Sequence, residues 1–335
     1  MKIAVLGAGT WGAALAALFR KNGCDVTLWS ALEAEINMLR ESGEHKNLPG
    51  AKMPEGISYE ADIKAAVSDK EIVLFAVASE YIRLTVKNVA PYIKPGMVLA
   101  CAAKGIEKGT LFTMSEIIED EISKLRYEKF DTVALSGPTH AEEVARELPT
   151  SIVSASKNED VAKRLAELVS NRYMRAYTNT DIQGVEISGA FKNIIALAAG
   201  ITRGMGFGDN ALAMLMTRGI AEISRIGLAM GSDRRTFMGL AGIGDLIVTC
   251  TSRHSRNNRC GELIGKGFSY EEASREIGMV IEGYHALEAG VALAKRYGVE
   301  MPITEAVYKV IKMNISPAEA MRELMARDLK SELGG

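Results

Sequence analysis

Val185 to Leu197 is a predominantly apolar helix-like run with Lys192 and Asn193 in its middle. A lysine set among Phe191, Ile194 and Ile195 snorkels, pairs or does chemistry. Adjacent helix positions point about 100° apart, so Lys192 and Asn193 together open a wide polar sector. A lysine facing a cleft is partly desolvated, which lowers its pKa and suits proton transfer. A second constellation, Gly242-Ile243-Gly244-Asp245-Leu246-Ile247-Val248-Thr249-Cys250, places Asp245 and Thr249 at i and i+4, on one face if the segment is helical. Asp245 could instead cap a helix after Gly244, and the two roles can coexist. A third segment, Ser252 to Arg259, gathers three arginines, two serines and two asparagines within eight residues. Such a cluster suits a phosphate, which Arg grips bidentately while Ser and Asn donate further bonds. A solvated basic loop is the plainer alternative, and the nearness of Asp245 in sequence favours a site.

The N-terminal Gly7-Ala8-Gly9-Thr10-Trp11-Gly12 is G-x-G-x-x-G, following a predicted strand and opening a predicted helix. In that setting Gly7 permits the tight turn, Gly9 lets backbone approach a pyrophosphate, and Gly12 lets helix and strand pack closely. The helix N-terminus then offers free N–H groups to the phosphates. Where an acidic residue would bind the 2′-hydroxyl of NAD, at the end of the second strand, stand Ser30-Ala31-Leu32. Ser30 could donate a bond to a 2′-phosphate, so NADPH is expected to be accepted, with a modest preference over NADH. Glu33 is the opposing candidate, able to favour NADH if the turn is longer.

These residues need a frame. Strands are predicted at Ile3–Leu6, Val26–Trp29, Ile72–Val77, Met97–Ala102, Thr132–Ser136 and Ser151–Ala155, with helices such as Thr10–Lys21, Glu142–Glu147 and Asp160–Ser170 between most of them. Strand, helix, strand in repetition implies a parallel sheet covered on both faces. Ligands of such sheets bind beyond the carboxyl ends of the strands, where Ala102-Ala103-Lys104-Gly105 and Ser136-Gly137-Pro138-Thr139 fall. After about residue 181 strand signals vanish and helix signals follow one another, including a Ser269/Glu272 capping box and a Ser316-Pro317 helix start. The expected organisation is a dinucleotide-binding domain over 1–181 and a helical substrate and catalytic domain over 182–335, closely packed.

A chain of 335 residues has room for two domains. Lys plus Arg number 40 against 42 Asp plus Glu, a net charge of −2, which argues against a general nucleic-acid or membrane-surface binder but leaves room for a local cationic pocket. Cys24, Cys101, Cys250 and Cys260 form no CxxC, and His45, His140, His254 and His285 show no metal-ligand spacing. Reduced thiols, no metal and a cytoplasmic location are expected. Lys2 and the apolar stretch to Phe19 imitate a signal peptide, but glycines interrupt it. No run approaches about eighteen uninterrupted apolar residues, so no transmembrane helix is expected. The oligomeric state is open, with a homodimer among the possibilities.

GAGTWG at 7–12, KGIE at 104–107, LSGPTHAEEVA at 135–145, FKNIIALAAGI at 191–201, GIGDLIVTCTSRHSRN at 242–257, EG at 282–283 and MPITEAVY at 301–308 occur in order over nearly the whole chain. Together they resemble the bacterial-type NAD(P)-dependent glycerol-3-phosphate dehydrogenase family. The resemblance implies interconversion of dihydroxyacetone phosphate and sn-glycerol 3-phosphate with NAD(P)H, supplying phospholipid synthesis. It implies an α/β fold: a Rossmann-type, mostly parallel sheet domain plus an all-helical domain of the 6-phosphogluconate-dehydrogenase-like type. Carried over by position, Lys192 is the proton donor and acceptor, with Asp245, Thr249 and Asn193 in its catalytic group. Lys104, Gly137, Thr139, Lys192, Asp245, Ser255, Arg256 and Asn257 would touch substrate. Gly7, Gly9, Thr10, Trp11, Gly12, Ser30, Lys104, Ala141, Arg256, Val280 and Glu282 would line the cofactor site. Two positions depart from the family pattern: Ala78-Ser79 where Pro-Ser is common, and Ala31 where a basic residue is common. The rivals are a related two-domain reductase of the 3-hydroxyacyl-CoA or ketopantoate type, and a nucleotide-sensing regulator without turnover. The first should show a His–Glu pair, if it acts on acyl-CoA, and the second a DNA-binding module; neither is visible.

Overall fold

Short runs of aliphatic and β-branched residues, buried on both faces, form the centre of a sheet. The computed structural model describes residues 1–125, 130–329 and 331–332. Eight strands are present among them: β1 (Lys2–Leu6), β2 (Asp25–Trp29), β3 (Ser58–Glu60), β4 (Ile72–Phe75), β5 (Val98–Cys101), β6 (Thr132–Ser136), β7 (Thr150–Ala155) and β8 (Met174–Asn179). Their order is β3-β2-β1-β4-β5-β6-β7-β8, and β1 pairs in parallel with both β2 and β4. The direction of winding therefore reverses beside β1, the point where open α/β sheets bind ligands. Alternate residues of β1 feed different layers: Ile3 and Val5 pack with one set of helices, Ala4 and Leu6 with the other.

The sheet's helices are α1 (Thr10–Lys21), α2 (Glu33–Ser42), α3 (Ile63–Val67), α4 (Ile82–Val89), α5 (Met114–Ser123), α6 (Ala141–Ala145) and α7 (Glu159–Val169). Two strands, β3 and β8, escape the sequence reading. The first has three residues and the second is buried only at Met174, with Arg175, Tyr177 and Thr178 exposed, so neither shows the apolar run of an inner strand. The sheet is mostly parallel, as expected; the exception is β7, which runs antiparallel to β6 while β8 is parallel to β7. The connection between β6 and β7, Gly137 to Pro149, carries the short helix α6.

Past Asn179 the chain is helical: α8 (Ile182–Gly204), α9 (Asp209–Ala229), α10 (Arg234–Phe237), α11 (Asp245–Thr251), α12 (Arg256–Gly265), α13 (Tyr270–Ile277), α14 (Glu282–Tyr297), α15 (Pro302–Lys312) and α16 (Pro317–Met325). The Ser269/Glu272 capping box and the Ser316 cap form as the sequence indicates. Asp181 caps α8 by accepting from the Gly184 N–H at 2.9 Å. Among the described residues α8 alone is long and apolar enough to cross a membrane by length and composition, and that stretch is 100% buried inside the protein. It is the axis around which the other helices pack, with Ile187, Phe191, Ile194 and Leu197 in their common core.

The closest crossing is α8 over α12. A Cβ at Gly200 would lie 2.0 Å from the Asn258 carbonyl oxygen, and one at Gly204 2.2 Å from that of Glu262. From the other side, a Cβ at Gly261 would lie 2.1 Å from the Leu197 oxygen and one at Gly265 2.3 Å from that of Ile201. Four glycines thus bring two backbones into direct contact, and the same crossing sets the start of α12 beside Lys192 and Asn193.

Candidate active site

At the crest of β1 the glycines build a cradle. Gly7 has φ +122°, and a Cβ there would sit 2.8 Å from the Ala76 carbonyl. A Cβ on Gly12 would lie 1.8 Å from the Gly7 oxygen, whereas beside Gly9 nothing stands within 4 Å. The N-terminus of α1 has no side-chain cap, so the first N–H groups of the helix face that open space. This donor set fits a pyrophosphate. Thr10 accepts a bond from Asn47 Nδ2 at 3.2 Å, and Trp11 packs against the sheet's core. Ala141 is the first residue of α6.

Facing this crest is a buried charge centre. Lys192, 6% exposed, comes from the middle of α8 and donates to Asp245 Oδ1 at 2.6 Å and to Thr249 Oγ1 at 2.7 Å. Thr249 Oγ1 in turn donates to the Asp245 carbonyl at 2.6 Å, which the i,i+4 spacing on α11 makes possible. Lys104, from beyond β5, donates to Asp245 Oδ2 at 2.6 Å and to the Gly137 carbonyl at 3.1 Å. Thr139 Oγ1 also donates to the Gly137 oxygen. One carboxylate therefore bridges two ammonium groups, one from the sheet and one from the helical half. Burial pulls the Lys192 pKa down to about 8, opposed by Asp245 and reinforced by Lys104. Burial pushes the Asp245 carboxyl up, but the two lysines outweigh it and hold the group below its ordinary value. Asp245 is the first residue of α11, yet its carboxylate serves the lysines rather than a cap.

Ser255 caps α12 by accepting from the Asn258 N–H at 3.2 Å, which puts Arg256 and Asn257 in that helix's first turn. Arg256, partly buried, donates to the Val280 carbonyl at 3.1 Å, while Arg253 and Arg259 are exposed. The basic cluster is thereby sorted, with a single arginine drawn inward. Asn257 donates to Asn193 Oδ1 at 3.0 Å and accepts from the Gly283 N–H at 2.9 Å. Asn193 also donates to the Gly189 carbonyl at 3.2 Å, so its amide is engaged by the protein at both ends. Glu282 accepts from Ser79 N at 3.1 Å and Ser79 Oγ at 2.5 Å, closing a seam between the halves. Ser79, at the family departure, thus has a partner of its own.

The sequence reading missed several polar groups. Burial lowers the His140 pKa, with Lys192 adding to the effect; its Nε2 is buried without a hydrogen-bond partner. The Ser136 and Ser188 hydroxyls are likewise buried and unpartnered. Ser136 Oγ stands at the Gly189 surface of α8, beside Lys104. The signal was present for His140, which directly follows Thr139 in LSGPTHAEEVA. Ser30, in contrast, already has a partner: its hydroxyl donates to Glu35 Oε2 at 2.7 Å.

A glycine cradle at the switch point of an open sheet, opposed by a buried lysine on a helical half, defines a two-domain dinucleotide-dependent dehydrogenase. The family model for the N-terminus of NAD-dependent glycerol-3-phosphate dehydrogenase matches residues 2–162, and that for its C-terminus residues 181–322. The chain belongs to this family. It is 51% identical to glycerol-3-phosphate dehydrogenase (NAD(P)+) 2 of Lactobacillus delbrueckii subsp. bulgaricus, over 99% of each chain. It is 46% identical to glycerol-3-phosphate dehydrogenase (NAD(P)+) of Bacillus subtilis, over 99% of this chain and 96% of that one. The crystal structure of glycerol-3-phosphate dehydrogenase from Coxiella burnetii superposes with a TM-score of 0.93 at 36% identity, covering 97% of this chain and 99% of the other.

Proposed function

We propose that this chain interconverts dihydroxyacetone phosphate and sn-glycerol 3-phosphate with NAD(P)H, and that Lys192 moves the proton. The observation that carries the reading is the Lys192–Asp245–Lys104 bridge, which joins a buried, pKa-lowered amine to the crest of the dinucleotide-binding sheet. A dinucleotide held on the Gly7-Gly9-Gly12 cradle and the start of α1 would supply hydride chemistry at the substrate's central carbon. Lys192, as ammonium, polarises the ketone oxygen and protonates the oxyanion that forms there. In the oxidative direction neutral Lys192 accepts the hydroxyl proton. Asp245 and Thr249 fix the amine's direction, since each accepts a hydrogen bond from it. Lys104 shares the carboxylate and lies beside the Gly137-Thr139 turn, where it can meet a second substrate oxygen.

Arg256 and Asn257, with the Ser255 hydroxyl, hold the phosphate in this reading. Binding energy gained there, away from the reacting carbon, positions the ketone against Lys192. Asn193 acts as a positioning residue, because its amide holds Asn257. The dinucleotide-binding domain is assigned to 1–181 and the helical domain to 182–335. The sn-glycerol 3-phosphate formed serves phospholipid synthesis, and a cytoplasmic location accords with four buried, unpaired cysteines. The deciding experiment follows nicotinamide absorbance with purified protein, either cofactor, and dihydroxyacetone phosphate. Oxidation that depends on the ketose phosphate is expected. Its absence with both cofactors overturns the reading.

A further inference from the structure

We infer that Glu35, tethered by Ser30, is the cofactor-selecting carboxylate of this chain and makes it prefer NADH to NADPH. This rests on the dehydrogenase reading and goes beyond it, to one residue and one phosphate group.

In a Rossmann sheet the adenosine ribose lies at the end of the second strand, where an acidic side chain binds its 2′-hydroxyl and repels a 2′-phosphate. Here β2 ends at Trp29, and the sequence offers Ser30, Ala31 and Leu32 at the usual place. The structure restores a carboxylate there by another route. Ser30 is 5% exposed, and its hydroxyl donates to Glu35 Oε2 at 2.7 Å while accepting from the Leu32 N–H at 3.1 Å. The single hydroxyl proton of Ser30 is thus used on Glu35. A carboxylate from the first turn of α2 is drawn back to the end of β2.

The same carboxylate lies within electrostatic reach of His45. His45 is buried and bonds to the backbone of Ala8, between the first two glycines of the cradle. The Ser30 tether sets the Glu35 carboxylate at the end of β2, the strand beside β1. Glu33, the acid that sequence position suggests, is exposed.

The first cations after Glu35 in sequence are Arg40 and Lys46. Arg40 donates to the Tyr59 carbonyl and to Asn37 Oδ1, each at 3.0 Å. Lys46 is exposed, and its charge is felt at His45. Burial keeps His45 below its ordinary pKa, so it adds no full charge at neutral pH. Ala31 and Leu32 carry none. A 2′-phosphate would enter a place where the tethered group is anionic and its nearest hydroxyl is already donating. A 2′-hydroxyl would instead donate to Glu35. The proposal reverses the preference expected from Ser30 read alone; NADPH remains a weaker cofactor rather than an excluded one.

The test is binding, which needs no turnover. Dissociation constants for NADH and NADPH are measured by nicotinamide fluorescence on the wild-type protein, Glu35→Gln and Ser30→Ala. The same comparison is repeated with ADP and 2′,5′-ADP, and kcat/KM is measured alongside. The wild type is expected to bind NADH about tenfold or more tightly than NADPH. Glu35→Gln should strengthen NADPH by about tenfold and change NADH by no more than about threefold. Ser30→Ala, which frees the carboxylate, should move the ratio the same way by less. Added salt should narrow the wild-type gap, because it screens the repulsion. Equal affinities in the wild type, or a gap that Glu35→Gln leaves in place, overturn the proposal. Loss of both cofactors in Glu35→Gln also overturns it, by showing that the residue holds the loop rather than faces the ribose. Selective binding without turnover would sustain this inference while refuting the proposed reaction.

Discussion

At the residue scale the proposed chemistry turns on how one amine is kept reactive. Burial lowers the Lys192 pKa to about 8, so both protonation states are accessible near neutrality. Ketone reduction needs the ammonium form, and its kcat should fall as pH rises through about 8; oxidation needs the neutral form and should rise through the same range. Asp245→Asn removes the group that favours the ammonium form, and the reductive limb should move to lower pH. Lys192→Ala should abolish nearly all turnover and leave cofactor affinity intact, as kinetics and fluorescence titration together would show; wild-type kcat in that variant would exclude the proton-transfer role. Arg256→Ala should lower kcat/KM for dihydroxyacetone phosphate by about ten- to a hundredfold, the worth of one bond to a charged group. Unphosphorylated dihydroxyacetone, measured in parallel, should be little affected; an equal loss on both would refute the phosphate contact. Lys192, Asp245 and Thr249 were legible because an apolar helix makes a lysine conspicuous and an i,i+4 pair needs only local geometry. The engagement of Asn193 by Asn257, the tether on Glu35 and the buried Nε2 of His140 were not, since each is defined by what surrounds the residue after folding.

At the scale of elements, inner strands and capped helices were legible, and edge strands were not. An inner strand shows an unbroken apolar run, whereas β3 and β8 each lack that pattern. The reversal of β7 was illegible for a different reason, since strand direction depends on where the connecting segment lies. The glycines of α8 and α12 show the limit of propensity most clearly. Read locally, Gly200, Gly204, Gly261 and Gly265 only weaken their helices, by about 1 kcal/mol each. Read across the crossing, each makes room for a carbonyl. Gly261→Ala should therefore destabilise despite its better helix propensity, by about 3 kcal/mol, because backbone cannot yield as a side chain does. The urea midpoint would report it. An alanine variant as stable as the wild type would show that the helices can separate freely.

Across the whole molecule, the halves are joined by buried charge as well as by apolar contact. Glu186 on α8 accepts from Ser115 N at 2.8 Å and Ser115 Oγ at 2.6 Å, at the start of α5 under the sheet. Burial raises its pKa to about 7. The folded protein thus binds this proton more tightly than the unfolded chain does. The stabilisation is full below the ordinary value of 4.5 and is lost as pH rises toward about 7. In Glu186→Gln that titration is gone, so its stability should decline less than the wild type's between about pH 5 and pH 8 in denaturant titrations. Parallel declines in the two proteins would show that Glu186 keeps its ordinary proton affinity.

The glycine crossing also bears on how this protein would look to someone who had only its mutants. Gly200 lies about two helical turns from Lys192, yet a side chain there would push α12 away and carry Arg256 and Asn257 with it. A scan of substitutions scored by growth or turnover would find the seam between α8 and α12 as intolerant as the lysine centre. It would draw a second apparent active site along a line where backbone meets backbone.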